Sequence, residues 1–301
     1  MRILILLLLL TPLMLLAPAP APASDDMPRR TADNLIVAAY NIQWLGQRRH
    51  DLDKIARVIQ HFDVCGILEV RNEKAVPELV GALETLTGKD WGYVYGVRTH
   101  RPGSHYHEAY AAVWRRDRAR LGDGLVSNVW DLEEAFRNDP FVVSFASTNA
   151  CFDFAMLLIH TRWSDDEEGS RQGEVAMLAE QLAWMRQFIP ERDWLVAGDF
   201  NYPGDATPMR EMAQQAGLLQ IDPDQLSTFK TDGSGYASAY DHIYIIDEET
   251  AEFIDGQCGI LDATRLVYGD NSPDSMKKAR TEISDHLPVW AVFDVTGPDD
   301  D

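Results

Sequence analysis

The 301-residue chain is 46% hydrophobic, enough for one large core or two small ones. Its charges are interspersed, which excludes long disorder away from the ends. A formal net charge of −21 excludes affinity for nucleic acid through bulk attraction alone. A polyanionic substrate stays open, because a local metal site can outweigh the global field.

In chain order, MRILILLLLLTPLMLLAPAPAPASDD comes first: one Arg, a leucine run, then a Pro/Ala stretch. Ala21-Pro22-Ala23 has the small-x-small pattern of a signal-peptidase site, so residues 1–23 are expected to be a signal peptide and 24–33 a flexible mature N-terminus. Pro12 and the Pro/Ala tail argue against a membrane anchor, and no Cys follows that would take a lipid. No later apolar run reaches membrane length, so no stable membrane association is expected after cleavage. The expected destination is the periplasm or the exterior.

Eight segments then read as strands: LIVAAYNI, VCGILEV, EAYAAVWRR, PFVVSFAS, FDFAMLLIH, DWLVAGDF, YDHIYII and LPVWAVFDV. Many are continuous apolar runs, the pattern of strands covered on both faces. Helical periods fall between them. DLDKIARVIQHF places Leu52, Ile55, Ile59 and Phe62 on one face, with Asp51 as a possible N-cap. Further helices are predicted at residues 76–86, 174–189 and 207–217, the last with Pro208 in its first turn. No linker rich in Pro, Gly or Ser follows residue 33, so one domain over 34–296 is expected, followed by an acidic tail at 297–301. Two packed sheets with helices outside are the expected α/β architecture.

Polar side chains fall where these apolar strands meet loops. Asn41, Glu69, His160, Asp199 and Asn201 close strands; Asp241, Asp285 and His286 open them. Strand ends in a sheet fold can share one rim and build a cleft. Asn41, Glu69 and Asp285 offer oxygen ligands with no thiolate, a set that suits Mg²⁺, Mn²⁺ or Ca²⁺ better than zinc. Such a cation would polarise a phosphoryl group. A histidine beside a carboxylate could take a proton from water. Each motif has a plainer reading: a turn for Asp199-Phe200-Asn201, a cap for Ser284-Asp285-His286, an ion pair with Arg71 for Glu69, a satisfied buried imidazole for His160.

The stretches AAYNIQWLG, ILEVRNE, HYHEAYAAVWRRD, LLIHTRWSD, LVAGDFN, AYDHIYI and ISDHLPVWAVF, in this order, resemble the endonuclease/exonuclease/phosphatase superfamily, its deoxyribonuclease I-like branch in particular. The resemblance runs from about residue 35 to 294. It implies a four-layer α/β sandwich of two mixed β-sheets packed face to face with helices outside. It also implies metal-dependent cleavage of phosphoric esters, with Mg²⁺ as cofactor and Mn²⁺ or Ca²⁺ as alternatives. By the same resemblance Asn41 and Glu69 hold the cation with Asp285 near it. Asp199 and Asn201 orient water and phosphate. Asp241 orients His286, and Glu108 partners His160. Tyr106, Arg71 and Arg137 touch the substrate backbone. The implied function is an endonuclease acting on DNA, with RNA as an alternative; with the leader it is expected to be exported, and a monomer is expected. A phospholipid phosphodiesterase of the sphingomyelinase kind, an inositol-phosphate phosphatase, and an inactive binding protein are the alternatives.

Departures from the pattern bear on DNA. Gln43 and His242 stand where the branch often has Arg, removing cations from a surface expected to face DNA. Arg137 is one residue further from its following Pro than in the pattern. Arg71, Arg98, Arg101 and Arg162 remain possible phosphate contacts, with Arg98 and Arg101 read as solvated. The DDEEG run at 165–169 reads as a solvated loop, a secondary Ca²⁺ site being the sharper option. Trp91-Gly92-Tyr93 and Trp130 are the candidate apolar tips of a membrane-acting enzyme. Cys65 is expected to be a buried inert thiol, while Cys151 and Cys258 could pair or stay free.

Overall fold

The computed structural model describes residues 30–98, 107–129, 131, 134–165, 170–222, 224–246 and 248–299. The expected signal peptide, Arg101, Tyr106, Trp130 and residues 166–169 lie outside the described residues.

The elements in chain order are β1 (Asn34–Leu45), α1 (Leu52–Ile59), β2 (Val64–Val70), α2 (Ala75–Thr87), β3 (Trp91–Tyr95), β4 (Ala109–Arg115), β5 (Ala119–Asn128), β6 (Phe141–Ser147) and β7 (Asp153–His160). They continue with α3 (Arg171–Met185), β8 (Trp194–Asp199), α4 (Thr207–Ala216), β9 (Leu218–Gln220), β10 (Asp241–Ile246), β11 (Phe253–Ile260), α5 (Ala263–Tyr268), α6 (Pro273–Glu282) and β12 (Val289–Asp294). One six-stranded sheet has the order β11-β12-β1-β2-β4-β3, the other β5-β6-β7-β8-β10-β9. Each holds one parallel pair near its middle, β1 with β2 and β7 with β8. The other neighbours are antiparallel.

The sheets share a core in which Ile67 and Leu68 meet Met156, Leu158, Ala197 and Ile243. Helices α1 and α2 add Ile55, Val76 and Leu79 to it. On the far side, Val175 and Leu178 of α3 and Met209 and Met212 of α4 cover Leu157, Ile159 and Val196. The result is the expected four-layer sandwich.

All eight expected strands form. The four unanticipated ones, β3, β5, β9 and β11, are the four sheet edges. None of the four is buried along its whole length, so none carries an unbroken apolar run. ARLGDGLVSN in β5 is largely exposed. Helices α5 and α6 were also not anticipated; PDSMKKARTE buries only Ser275, Met276 and Ala279. Asp51 caps α1, accepting from Lys54 N. Helix α3 begins three residues before its apolar period, where the Ser170 side chain caps Gly173 N. Left-handed Gly88 and Gly217 end α2 and α4.

The three cysteines are free, so the pairing option is not taken. The Cys258 thiol instead donates to Ile221 O at 2.7 Å. Trp91 is no membrane tip: it is 2% exposed, and its indole N–H donates to Thr87 Oγ1 at 3.1 Å.

Gly66 sets how closely the sheets dock. A Cβ there would fall 2.4 Å from Leu158 Cδ2 and 3.0 Å from Met156 Cε. Gly66→Ala is therefore expected to destabilise the fold by about 1–3 kcal/mol, the cost of overpacking a filled core. Urea unfolding measures it; an unchanged midpoint would mean the sheets yield freely here.

Candidate active site

The site lies where the two parallel pairs end. Asn41 ends the regular pairing of β1 with β2, and Glu69 lies at the end of β2. His160 and Asp199 close β7 and β8 on the same rung, and Asp241 opens β10 on that rung too. Antiparallel neighbours deliver the rest from their starts: Glu108 precedes β4, and Asp285 and His286 precede β12. One rim thus gathers eight of the expected side chains, and Asn201 follows two residues after Asp199.

The backbone is bent to aim them. Trp44, Glu69 and Asn201 have φ of 59°, 59° and 52°, a region that non-glycine residues seldom adopt. The β2–β4 register shifts between Ile67 and Val70, which turns Glu69 out of the regular ladder. Gly198 has φ 142°, and a Cβ there would stand 2.1 Å from Ile159 O. Only glycine lets β8 approach β7 so closely before Asp199.

Asp199 is the hub. Its Oδ1 accepts from Asn201 N at 2.9 Å and its Oδ2 from Asn41 Nδ2 at 3.1 Å. The same Oδ2 lies 3.6 Å from His160 Nε2 and 3.5 Å from His286 Nε2. Behind each imidazole stands another carboxylate. His160 Nδ1 is 2.6 Å from Glu108 Oε1, and His286 Nδ1 is 2.7 Å from Asp241 Oδ2. These bonds present both Nε2 atoms to Asp199.

Charge follows from that order. Burial alone would lower His160, but Glu108, Asp199 and Glu69 outweigh it and raise its pKa to about 10. His286 is likewise raised against the effect of burial, by Asp241 and Asp199. Burial raises Asp199 and lifts Glu69 to about 7, with the His160 charge opposing the rise in each. The carboxylates around both imidazoles thus favour their protonated forms.

The oxygen set fits a hard cation. Asn41 Oδ1, Asp285 Oδ1 and Gln43 Oε1 are buried with no hydrogen-bond partner. Glu69 Oε1 accepts from Asn41 Nδ2 at 3.0 Å, and Glu69 Oε2 from Trp44 N at 3.2 Å. Buried oxygens without donors are costly unless something positive satisfies them. Asn41, Glu69 and Asp285 could hold that cation, with oxygen donors only.

Several supporting residues were invisible in the sequence. Asn138 Nδ2 donates to Glu108 Oε1 at 2.8 Å. Ser227 Oγ donates to Asp241 Oδ2 at 2.6 Å. Ser284 Oγ donates to Asn41 O at 2.6 Å and accepts from His286 N at 3.1 Å. Gln43 Nε2 donates to Asp285 Oδ2 at 2.5 Å, giving the departure from Arg a local role. Of these, Ser284 carried a signal as part of SDH and Gln43 as a departure from the pattern; Asn138 and Ser227 carried none.

The basic residues separate. Arg71 stays at the rim, donating to His107 O at 2.9 Å with its guanidinium 5.7 Å from the Trp44 ring centre. Arg137 is half-buried beside the site, its backbone N–H on Glu174 Oε1 at 2.6 Å. Arg98 is exposed and bound to Glu73 at 2.7 Å. Two expectations are overturned. Arg162 is not a phosphate contact: it is 1% exposed and paired with Glu174 at 2.9 Å. His242 does not face a substrate surface: it is fully buried, with Nδ1 2.9 Å from Asp222 Oδ2 and Nε2 2.9 Å from Tyr202 O. Each was misplaced for the same reason, a carboxylate distant in sequence that draws the cation inward.

The endonuclease/exonuclease/phosphatase family model matches residues 38–286. A deoxyribonuclease of Thioalkalivibrio sp. (strain K90mix) is 28% identical over 277 residues, which span 89% of this chain and 73% of that protein. An endonuclease/exonuclease/phosphatase family protein from Bacteroides thetaiotaomicron superposes with a TM-score of 0.58 at 17% identity, covering 87% of this chain and 96% of the other. A mannosyl-6-phosphatase of the same organism has the same fold, with a TM-score of 0.56, 15% identity and coverage of 85% and 98%.

The His242–Asp222 pair generates a pH prediction away from the cleft. Burial would lower His242, but Asp222 raises its pKa to about 9. A raised folded-state value contributes stability that is complete below pH 6.5, the unfolded value, and is lost as pH climbs through about 9. The melting temperature should fall over that window in the wild type and fall less steeply in His242→Gln. Equal slopes would dismiss the pair as a source of stability.

Proposed function

This chain belongs to the endonuclease/exonuclease/phosphatase family, and from that premise we propose that it is a metal-dependent phosphodiesterase, an endonuclease that hydrolyses DNA. The family membership makes it a phosphoric ester hydrolase; the choice of substrate is our reading. One observation carries it: Asp199 held between two carboxylate-backed imidazoles, 3.6 and 3.5 Å away, beside buried oxygens that have no hydrogen-bond partner. That arrangement serves in-line attack of water on phosphorus. The similarity to a protein named deoxyribonuclease supports DNA over other esters. The leader-like residues 1–23 support export.

Asn41, Glu69 and Asp285 would hold Mg²⁺, or Mn²⁺ or Ca²⁺ in its place. Bound there, a hard dication would supply Lewis-acid polarisation of a phosphoryl oxygen. The chain's own groups do the rest. Asp199 and Asn201 orient the attacking water and the phosphate. One imidazole, backed by Asp241 or Glu108, takes the water's proton. The other donates its Nε2 proton to the leaving oxygen. Asn138 and Ser227 keep the two backing carboxylates in place through their hydrogen bonds.

His160→Ala and His286→Ala should each lower kcat about 10²- to 10⁴-fold with the fold intact by circular dichroism. Activity retained within about threefold in either variant would remove that imidazole from the chemistry. The substrate is tested by incubating the protein with supercoiled plasmid, sphingomyelin and inositol phosphates, each with and without EDTA. Plasmid nicking abolished by EDTA is the expected result. Turnover of lipid or inositol phosphate alone would replace the nuclease reading with another branch of the fold, and silence on all three with metal present would favour a binding protein.

A further inference from the structure

Two arginine–aromatic pairs flank the catalytic centre, one on each sheet. On the β1–β2 side, Arg71 lies over Trp44, whose backbone N–H binds Glu69. On the β7–β8 side stands a pair that no motif marked. The guanidinium of Arg171, the first residue of α3, lies 3.8 Å from the centre of the Tyr202 ring. Its Nη1 donates to Asn201 O at 2.5 Å.

Several arginines of this acidic protein are spent on carboxylates. Arg30, Arg115, Arg118, Arg162 and Arg186 all pair with one. The Arg171 guanidinium forms no such pair among the described residues, and the adjacent Asp165 carboxylate accepts from the Arg171 backbone N–H at 2.9 Å. Its charge is therefore held half-buried against a ring, next to the catalytic turn, with no neutralising partner from the described chain. A guanidinium fixed flat in this way keeps a rigid fork of donors, the geometry that grips a phosphate.

We propose that Arg171, backed by Tyr202, contacts a backbone phosphate beside the one that is cleaved, on the opposite wall from Arg71. The inference rests on the phosphodiesterase reading above and narrows it. The substrate is a polynucleotide with phosphates on both sides of the scissile bond, not a lone phosphomonoester or a small diester.

The test compares wild type, Arg171→Ala and Arg171→Lys on a short DNA oligonucleotide and on bis(p-nitrophenyl) phosphate, which has no flanking phosphate. Arg171→Ala should lose about tenfold or more in kcat/KM on the oligonucleotide, mainly through KM, and far less on the small diester. The slope of log KM against log salt should shrink by about 0.7–0.9, one phosphate contact. Arg171→Lys should recover part of the loss, as a point charge without the fork. Equal losses on both substrates would overturn the contact and leave Arg171 as a support for the Asn201 carbonyl. No loss on either would overturn it too. Wild type that hydrolyses the small diester but no nucleic acid would sink the nuclease reading itself, a failure distinct from that of Arg171.

Discussion

A carboxylate taken out of water must be neutralised, and Asp199 is 1% exposed. The protein meets this constraint with an alternating string: Glu108, His160, Asp199, His286, Asp241, each within 3.6 Å of the next. Glu108 and His286 adjoin strands of one sheet, while His160, Asp199 and Asp241 belong to the other. The string crosses the seam between the sheets, so docking them and assembling the site are one event. Breaking any link would leave a buried charge uncompensated.

The scaffold tolerates local strain because it is over-determined around the rim. Trp44, Glu69 and Asn201 hold left-handed backbone angles at the ends of strands that are buried along most of their length. Packing on both faces of β2 and β8 repays those conformations, each costing about 1–3 kcal/mol. Gly66 and Gly198 play complementary parts. One lets the sheets meet; the other lets two adjacent strands close up just before Asp199.

Electrostatics divide the molecule into an acidic exterior and a cleft that needs positive charge. Arg162, which the sequence offered to a substrate, is consumed internally by Glu174, and His242 likewise turns inward to Asp222. The remaining positive edge is narrow, with Arg71 on one wall and Arg171 on the other, each held over an aromatic ring. A nuclease with this charge balance would depend on few, well-placed phosphate contacts and on its cation instead of a broad basic surface.

What was legible in the sequence was whatever burial writes locally. The central strands declare themselves because two covered faces demand unbroken apolar runs, as in VCGILEV and FAMLLIH. The polar residues that interrupt those runs at their ends, from Asn41 to His286, mark the rim for the same reason. Capped and periodic helices such as α1 were legible through Asp51 and the spacing of Ile55 and Ile59. Only the tertiary structure decided the rest. Edge strands such as β5 carry no signal, because their side chains are largely exposed. Asn138 and Ser227 join the site through neighbours 30 and 14 residues away. Arg162 and His242 turn inward because a carboxylate waits there, and no local pattern can say where a distant charge will be.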